Sequence, residues 1–222
     1  MAKVAQHSSK IVIAIDGPAA SGKGTLARGL AGALDFGYLD TGSLYRAVAF
    51  SVINQKISPT NEAAIVSILP DVDLSLASGD LLRTEAIGIM ASQLAVMVGV
   101  RKHLLNYQRA FAQDPVHNPK GVILDGRDIG TVVCPDADLK IFIVADLNIR
   151  IKRRFQELKD RGLLVVEEDI RQDMSERDKR DRSRTSSPLT PALDSWLLDT
   201  SEKDEEETLL YALHYVAKTL RL

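Results

Sequence analysis

Five residues able to do chemistry stand together near the start of the chain. Gly17 and Gly22 are separated by four residues, and Lys23, Gly24 and Thr25 follow at once within "IVIAIDGPAASGKGTLARGLAGAL". A lysine beside closely spaced glycines is equipment for holding phosphate. The glycines let backbone N–H groups converge on phosphate oxygens, and the lysine reaches the β- and γ-phosphates. One residue departs from the common pattern. Gly24 follows the lysine where Ser or Thr usually meets Mg²⁺, and Thr25 comes one position later. A nucleoside triphosphate is therefore the expected donor. Its Mg²⁺ is expected to be held mainly by the phosphates and water, with Thr25 or Asp125 as the side chains in a position to approach it.

Such a loop works only if it leaves a strand and enters a helix, whose N-terminus adds positive potential. "KIVIAI" is a continuous β-branched run stopped by Asp16-Gly17-Pro18, and Leu26, Leu30, Ala33 and Leu34 recur at helical spacing. Both supports are present. Further along, the sequence predicts a strand and turn at "GYLDTG", a helix through "SLYRAVAFSVI", and a helix at "TNEAAIVSIL" capped by Thr60 or Asn61. "DVDLSLASGDLL" reads as two short strands about a Ser-Gly-Asp turn, followed by helices near 84–98 and 100–112. "GVILDG", "LKIFIVA" and "SWLLDTS" read as strands. "NIRIKRRFQELKDRG", residues 167–184 and "EEETLLYALHYVAKTL" read as helices, the last with acidic residues at its start. Strands alternating with helices imply an α/β fold on a doubly wound parallel sheet.

A phosphate loop names a donor and leaves the acceptor open. Three constellations bear on it. "LDTGSLYR" puts Asp40, Thr41 and Arg46 at the carboxyl edge of a strand, where open α/β sheets bind ligands and an arginine clamps phosphate bidentately. The same residues read equally as a helix cap and a solvated arginine. In "VILDGRDIG", Asp125 ends an apolar strand, which suits a carboxylate near a metal-bound triphosphate, and Arg127 and Asp128 follow. A tight turn with paired charges is the alternative. Third, Arg150, Arg153 and Arg154 stand at i, i+3 and i+4, and Arg177, Asp181 and Arg184 at i, i+4 and i+7. Like charges so placed cost about 0.2–0.5 kcal/mol per pair unless an anion lies between them. Each helix alone reads also as a solvated face laced with ion pairs; beside a phosphate loop, a lid over a triphosphate is the better reading.

Composition narrows the classes. The 222 residues suffice for one well-filled domain, and a net charge of −2 excludes a generic nucleic-acid or membrane binder. Residues 150–184 carry net +3 against −5 elsewhere, which points to a small anionic ligand. The single cysteine, Cys134, excludes an internal disulfide and a cysteine-zinc cluster, and its place between "GTVV" and a proline predicts packing over reactivity. "MAKVAQHSSK" has no apolar leader, and no apolar run approaches the ~18 residues of a membrane helix. A cytoplasmic protein is the expectation, and a monomer, since no apolar surface stripe is evident.

In order, "GPAASGKGT", "LDTGSLYR", "ASQ…VR", "DGRDIGTVV" followed by "PDA", and "ERDKRDRSR" resemble the motifs of the bacterial cytidylate kinases, in the nucleoside-monophosphate kinase branch of the P-loop fold. The resemblance runs from about Ile11 to the final helix. It implies a three-layer sandwich with a central parallel sheet, a small monophosphate-binding insert near 58–100 and a helical lid near 150–184. It implies ATP-dependent phosphorylation of CMP and dCMP to the diphosphate. By that resemblance Gly17, Pro18, Ala19, Ala20, Ser21, Gly22, Lys23, Gly24 and Thr25 bind the ATP phosphates, with Lys23 at the transferring group. Thr41, Arg46 and Arg127 hold the acceptor phosphate. Ser92, Arg101 and Asp128 read the cytosine edge. Arg177 and Asp181 contact the sugar, Arg184 approaches the transferring phosphate, and Arg150, Arg153 and Arg154 belong to a lid over ATP.

The chain departs from the resemblance between Leu81 and Arg83, where the family commonly has extra strands. The shorter insert bears on substrate affinity and on the strictness of base choice, and leaves the phosphate machinery untouched. Two rival readings remain from the residues themselves. A kinase for another small acceptor, such as a hydroxyl acid, needs a carboxylate base, and Asp40 or Asp125 is placed for it. A nucleotide-binding module without transfer is the other; the N-K-x-D sequence with which GTPase switches read guanine is absent.

Overall fold

β1 (Ile11–Asp16) is the middle strand of a five-stranded parallel sheet in the computed structural model, which describes residues 10–78, 80–114 and 120–222. Its neighbours are β3 (Gly121–Gly126) and β4 (Leu139–Val144), and the outer strands are β2 (Gly37–Asp40) beside β3 and β5 (Trp196–Asp199) beside β4. Ile13 lies opposite both Ile123 and Leu139, so the three central strands are in step.

Alternation along these strands builds two separate cores. Ile13, Ile15, Ile123, Ile141 and Ile143 point to the face covered by α1 (Lys23–Leu34) and the last helix (Glu205–Leu220). Ala14, Val122 and Leu124 point to the other, against α2 (Thr41–Asn54), α3 (Glu62–Ile68), α4 (Glu85–Leu94) and α5 (Val98–Gln113). A third, small core is separate from both. It consists of Ile151, Leu158, Ile170 and Met174 between α6 (Leu147–Asp160) and α7 (Glu167–Ser183), and Ala20 of the loop after β1 packs against it. The final helix is therefore α8.

β1 is flanked by β3 on one side and β4 on the other, so the chain leaves it in opposite directions. At that point the loops on the carboxyl ends of the strands part and open a crevice. The phosphate loop follows β1, Asp40 closes β2, and Asp125 lies in β3 opposite Asp40.

Most expected elements are present within a residue or two. The helix expected to run to 98 stops at Leu94, and α5 starts at Val98. The larger exception is 72–83. The two strands expected there are short 3₁₀ turns, Leu74–Ser78 and Asp80–Arg83. Asp73 accepts from the Ser75 backbone N–H and hydroxyl at 2.9 and 2.6 Å, which starts a local turn, and among the described residues no strand lies alongside for pairing. Leu82 is buried in the core under α2 and α4. Gly79, in the expected Ser-Gly-Asp turn, and residues 1–9, read above as carrying no apolar leader, lie outside the described residues. Asn61, and not Thr60, caps α3. Cys134 is half-buried against the α2 core, and burial pushes its thiol up to about 11. Among the described residues no helix is long and apolar enough to cross a membrane.

α8 begins with a full capping box: the Asp204 side chain accepts from Glu207 N–H at 2.8 Å, and Glu207 accepts from Asp204 N–H at 3.2 Å. Asp204→Ala is expected to lower unfolding free energy by about 1 kcal/mol, measured by chemical denaturation, while turnover stays at the wild-type level because α8 lies outside the crevice.

Candidate active site

The loop after β1 is shaped by sterics before it is shaped by charge. A Cβ on Gly17 would lie 2.6 Å from the Ile143 carbonyl oxygen of β4, so only glycine lets the chain leave β1 this close to its neighbour. Ala20 and Gly22 are both left-handed, at φ 56 and 86. Ala20 is the strained one, since a side chain disfavours that region. Gly22 then serves as the N-cap of α1 without any capping side chain, and no acidic residue occupies the helix's first turn. The free N–H groups and the helix field are left for an anion. Lys23 Nζ folds back onto the Pro18 carbonyl at 3.4 Å.

Two carboxylates sit behind this loop. Asp40 and Asp125 are register partners at the ends of β2 and β3. Burial and then Asp40 push the Asp125 carboxyl up; burial and then Arg127 pull Lys23 down, while each of the pair supports the other's charge. Asp125 Oδ2 faces Gly24, 3.4 Å from where a Cβ would stand, and Oδ1 accepts from the Tyr38 hydroxyl at 3.3 Å. Gly24 thus leaves open the space between helix α1 and Asp125. Asp40 caps α2, accepting from Ser43 N–H at 3.2 Å. Asp40 thus spends one carboxylate oxygen on the cap, while Asp125 faces the phosphate loop.

The opposite wall is cationic. Asp181 of α7 accepts from Arg127 Nε at 2.9 Å and also from Arg184 Nη2. Burial alone would raise Asp181, but Arg127, Arg184 and Arg177 outweigh it and hold the carboxyl below its usual range. For Arg177, burial and the neighbouring Arg127 disfavour its charge. The Nε atoms of Arg177 and Arg184 are buried and have no partner. Arg46 from α2 lies over Gly88 and donates to the carbonyls of Leu82 and Thr84 at 2.9 and 3.4 Å. Together these residues, Lys23, Ser92, Arg101 and Asp128 line one cleft of about 360 Å³.

Arg127 and Asp128 stand between β3 and the π-turn Ile129–Val133, which is clasped at both ends. Asp16, at the end of β1, takes the N–H groups of Ile129 and Gly130, each at 2.8 Å. Arg109 of α5 donates to the Val132 and Val133 carbonyls at 2.9 and 3.1 Å. Asp128 is then held by Arg101 at 2.5 Å. Asp16 and Arg109 were not among the expected site residues. The signal for Asp16 was a carboxylate closing an apolar strand, as Asp125 does.

Several expected residues are placed differently from their grouping by spacing. Thr41 lines the cleft, but its hydroxyl proton goes to the Asp125 carbonyl at 2.7 Å and ties α2 to β3. Arg150, 3% exposed, grips Asp178 of α7 at 2.6 and 3.2 Å and donates to the Ala145 and Ala19 carbonyls, so it fastens α6 to α7 and to the phosphate loop. Arg153 donates to Thr200 Oγ1 at 3.0 Å and to the Thr200 and Lys203 carbonyls; Thr200 in turn donates to the Ser21 carbonyl at 3.0 Å. Of the three, Arg154 alone lines the cleft, paired with Glu157 at 2.8 Å. Thr25 is half-buried in the first turn of α1. Among the described residues no cluster of three or more His, Cys, Asp or Glu gathers for a metal.

Residues 13–218 match the family model described as cytidylate kinase. The chain is 47% identical to a protein named cytidylate kinase from Rhodospirillum rubrum, over 93% of this chain and 97% of that one. It is also 47% identical to one of the same name from Bartonella bacilliformis, over 90% and 92%. Among solved structures, an uncharacterized protein from Eubacterium ventriosum shares the fold with a TM-score of 0.55 at 16% identity, over 94% of this chain and 99% of that one.

Burial pushes Asp16 up to about 6, against the pull of the Gly130 and Ile129 N–H groups. An unfolded aspartate titrates near 4, so between these values the folded chain binds the proton more tightly. The contribution is present below about pH 4 and is lost as pH rises through about 6. Wild type is therefore expected to lose stability relative to Asp16→Asn between pH 4 and 7 in denaturant titrations. A difference that is flat or grows with pH would show a carboxylate charged throughout.

Proposed function

The chain belongs to the cytidylate kinase family, and we infer that it transfers the γ-phosphoryl group of ATP to the phosphate oxygen of CMP or dCMP. The observation that carries this reading is the pair of buried, unpartnered guanidinium Nε atoms, Arg177 and Arg184, facing a phosphate loop across one cleft. Two anions are needed to balance such a site, a donor on the loop and an acceptor among the arginines.

The acceptor phosphate is already an anion, so no base is required and the work is positioning and charge neutralisation. We assign the loop 17–25 and Lys23 to the ATP phosphates. Arg46, released from the Leu82 and Thr84 carbonyls, and Arg127 are assigned to the acceptor phosphate. Arg184 and Arg177 turn their free Nε atoms to the transferring group and the nucleotide. Thr41 acts by fixing the Asp125 carbonyl. Arg150 and Arg153 act from behind the phosphate loop, and Arg154 over it. Ser92, Arg101 and Asp128 are assigned to the cytosine edge, and Asp181 to the sugar once the arginines turn to phosphate.

Mg²⁺ fits this site. Asp40 and the buried Asp125 are neighbouring carboxylates with Lys23 and Arg127 close to Asp125, Gly24 leaves room in front of Asp125, and carboxylate oxygen is the donor type Mg²⁺ takes. Asp125 would hold it, directly or through water, and the ion would neutralise charge on the β- and γ-phosphates. Residues 58–100 are read as the monophosphate-binding insert and 150–184 as the lid. The separate core between α6 and α7 supports the latter, because that hairpin can rotate without opening the sheet's two cores. Closure excludes water from the acceptor position, where it would hydrolyse ATP. A cytoplasmic monomer completes the reading.

ADP release from MgATP with CMP, dCMP, UMP, AMP or shikimate, beside a control without acceptor, tests this. CMP and dCMP are expected far above the rest; ATP binding without acceptor-dependent release would leave only a binding module. Lys23→Ala is expected to cut kcat by roughly 10²–10³-fold with an unchanged thermal midpoint, and near-normal turnover would remove Lys23 from the chemistry.

A further inference from the structure

Arg180 belongs to no group assigned so far. It lies on α7 three residues after Arg177 and four before Arg184, and lines the same cleft. Arg127 and Arg184 both turn to Asp181, but Arg180 reaches across to the insert. Its Nη1 donates to Ser92 Oγ of α4 at 2.7 Å, between residues 88 apart in sequence. Ser92 is 6% exposed, on a helix fixed by its Thr84 cap and by Ala91 and Leu94 in the core.

We propose that Arg180 is a positioning residue for base choice: it sets the direction of the Ser92 hydroxyl. This rests on the kinase reading above and names the device by which that site separates cytosine from uracil. A hydroxyl has one proton and two lone pairs, and a guanidinium only donates. Arg180 therefore occupies a Ser92 lone pair with a charge-assisted bond and turns the hydroxyl proton away from itself. Asp128 is fixed as an acceptor by Arg101. The two side chains then present an acceptor beside a donor. Cytosine offers the complement, its 4-amino group as donor and N3 as acceptor. Uracil offers the reverse at both atoms, leaving buried groups unpaired. Without Arg180 the hydroxyl turns freely, accepts from the uracil N3–H, and the distinction weakens.

The test is steady-state kinetics with CMP and with UMP on the wild type, Arg180→Gln, Arg180→Lys, Ser92→Ala and the Arg180→Gln/Ser92→Ala pair. Glutamine is two bonds shorter than arginine and leaves the Ser92 hydroxyl unheld, whereas lysine extends further and only donates. Arg180→Gln is expected to raise KM for CMP about tenfold with kcat within about twofold, and to lower the CMP-to-UMP ratio of kcat/KM about tenfold. Arg180→Lys is expected to keep most of the wild-type ratio. Because Arg180 acts through Ser92, the pair is expected to discriminate no worse than Ser92→Ala alone. Thermal midpoints and ATP affinity, unchanged, show that each variant is folded; an unfolded Arg180→Gln is replaced by Arg180→Met, with the same expectation. Discrimination retained in these variants, equal losses for lysine and glutamine, or strictly multiplicative losses in the pair would overturn the proposal. Wild type that ignores CMP would overturn the kinase reading, and the proposal with it.

Discussion

Arg127 and Arg184 are made to share the carboxylate of Asp181, with Arg177 close by, and most of the site's architecture follows from that arrangement. At a few ångströms in a partly dry cleft, two like charges repel by several kcal/mol. One carboxylate cannot offset three guanidiniums, so the group is tolerable only if each arginine is gripped from outside and an anion is admitted from solvent. The grips are all present. Asp16 and Arg109 clasp the turn that carries Arg127, while Arg150 and Asp178 lock the helix that carries Arg177 and Arg184. Burial adds to the tension by disfavouring the charge on Arg177 and Arg184. The cleft is thus held in readiness for phosphate by parts that never touch it.

The parallel sheet and the phosphate loop were legible because both depend on local regularities. Apolar runs of β-branched residues have no stable place except between two helical layers, and Gly17, Gly22 and Lys23 have a spacing with one established use. The segment 72–83 was misread because its alternation answers to burial of Leu82 and to the Asp73 turn; a two-residue period looks the same whether or not a partner strand exists. The arginines of α6 share a helix face without sharing surroundings. Helical spacing says which residues share a face, but Arg150, Arg153 and Arg154 are separated by what lies around that face: Asp178 and Ala19, Thr200, and the cleft. Asp16 and Arg180 needed the fold to bring β1 to the turn after β3 and α7 to α4, neither of which a single helix or strand records.

The three cores divide the labour. The sheet's two faces bury the large aliphatic side chains and keep the carboxyl ends of the strands in register, which fixes the loop, Asp40 and Asp125 relative to one another. The α6–α7 hairpin has only four buried apolar residues, and polar ties attach it to the rest: Arg150 to Ala19 and Ala145, and Arg153 to Thr200. Hydrogen bonds exchange partners with little change in packing, whereas interdigitated aliphatics do not. An element held this way can change its contacts when a ligand competes for them and leave the sheet as it was.

Thr200 gives the phosphate loop a dependence on the far end of the chain. Its hydroxyl supports the Ser21 carbonyl, 179 residues earlier, and accepts from Arg153. Ser21 leaves the ribosome 179 residues before the residue that steadies it. During synthesis from N- to C-terminus the nascent chain therefore carries a glycine-rich turn without its brace until β5 has emerged. The loop is braced in full only when β5 has joined the sheet.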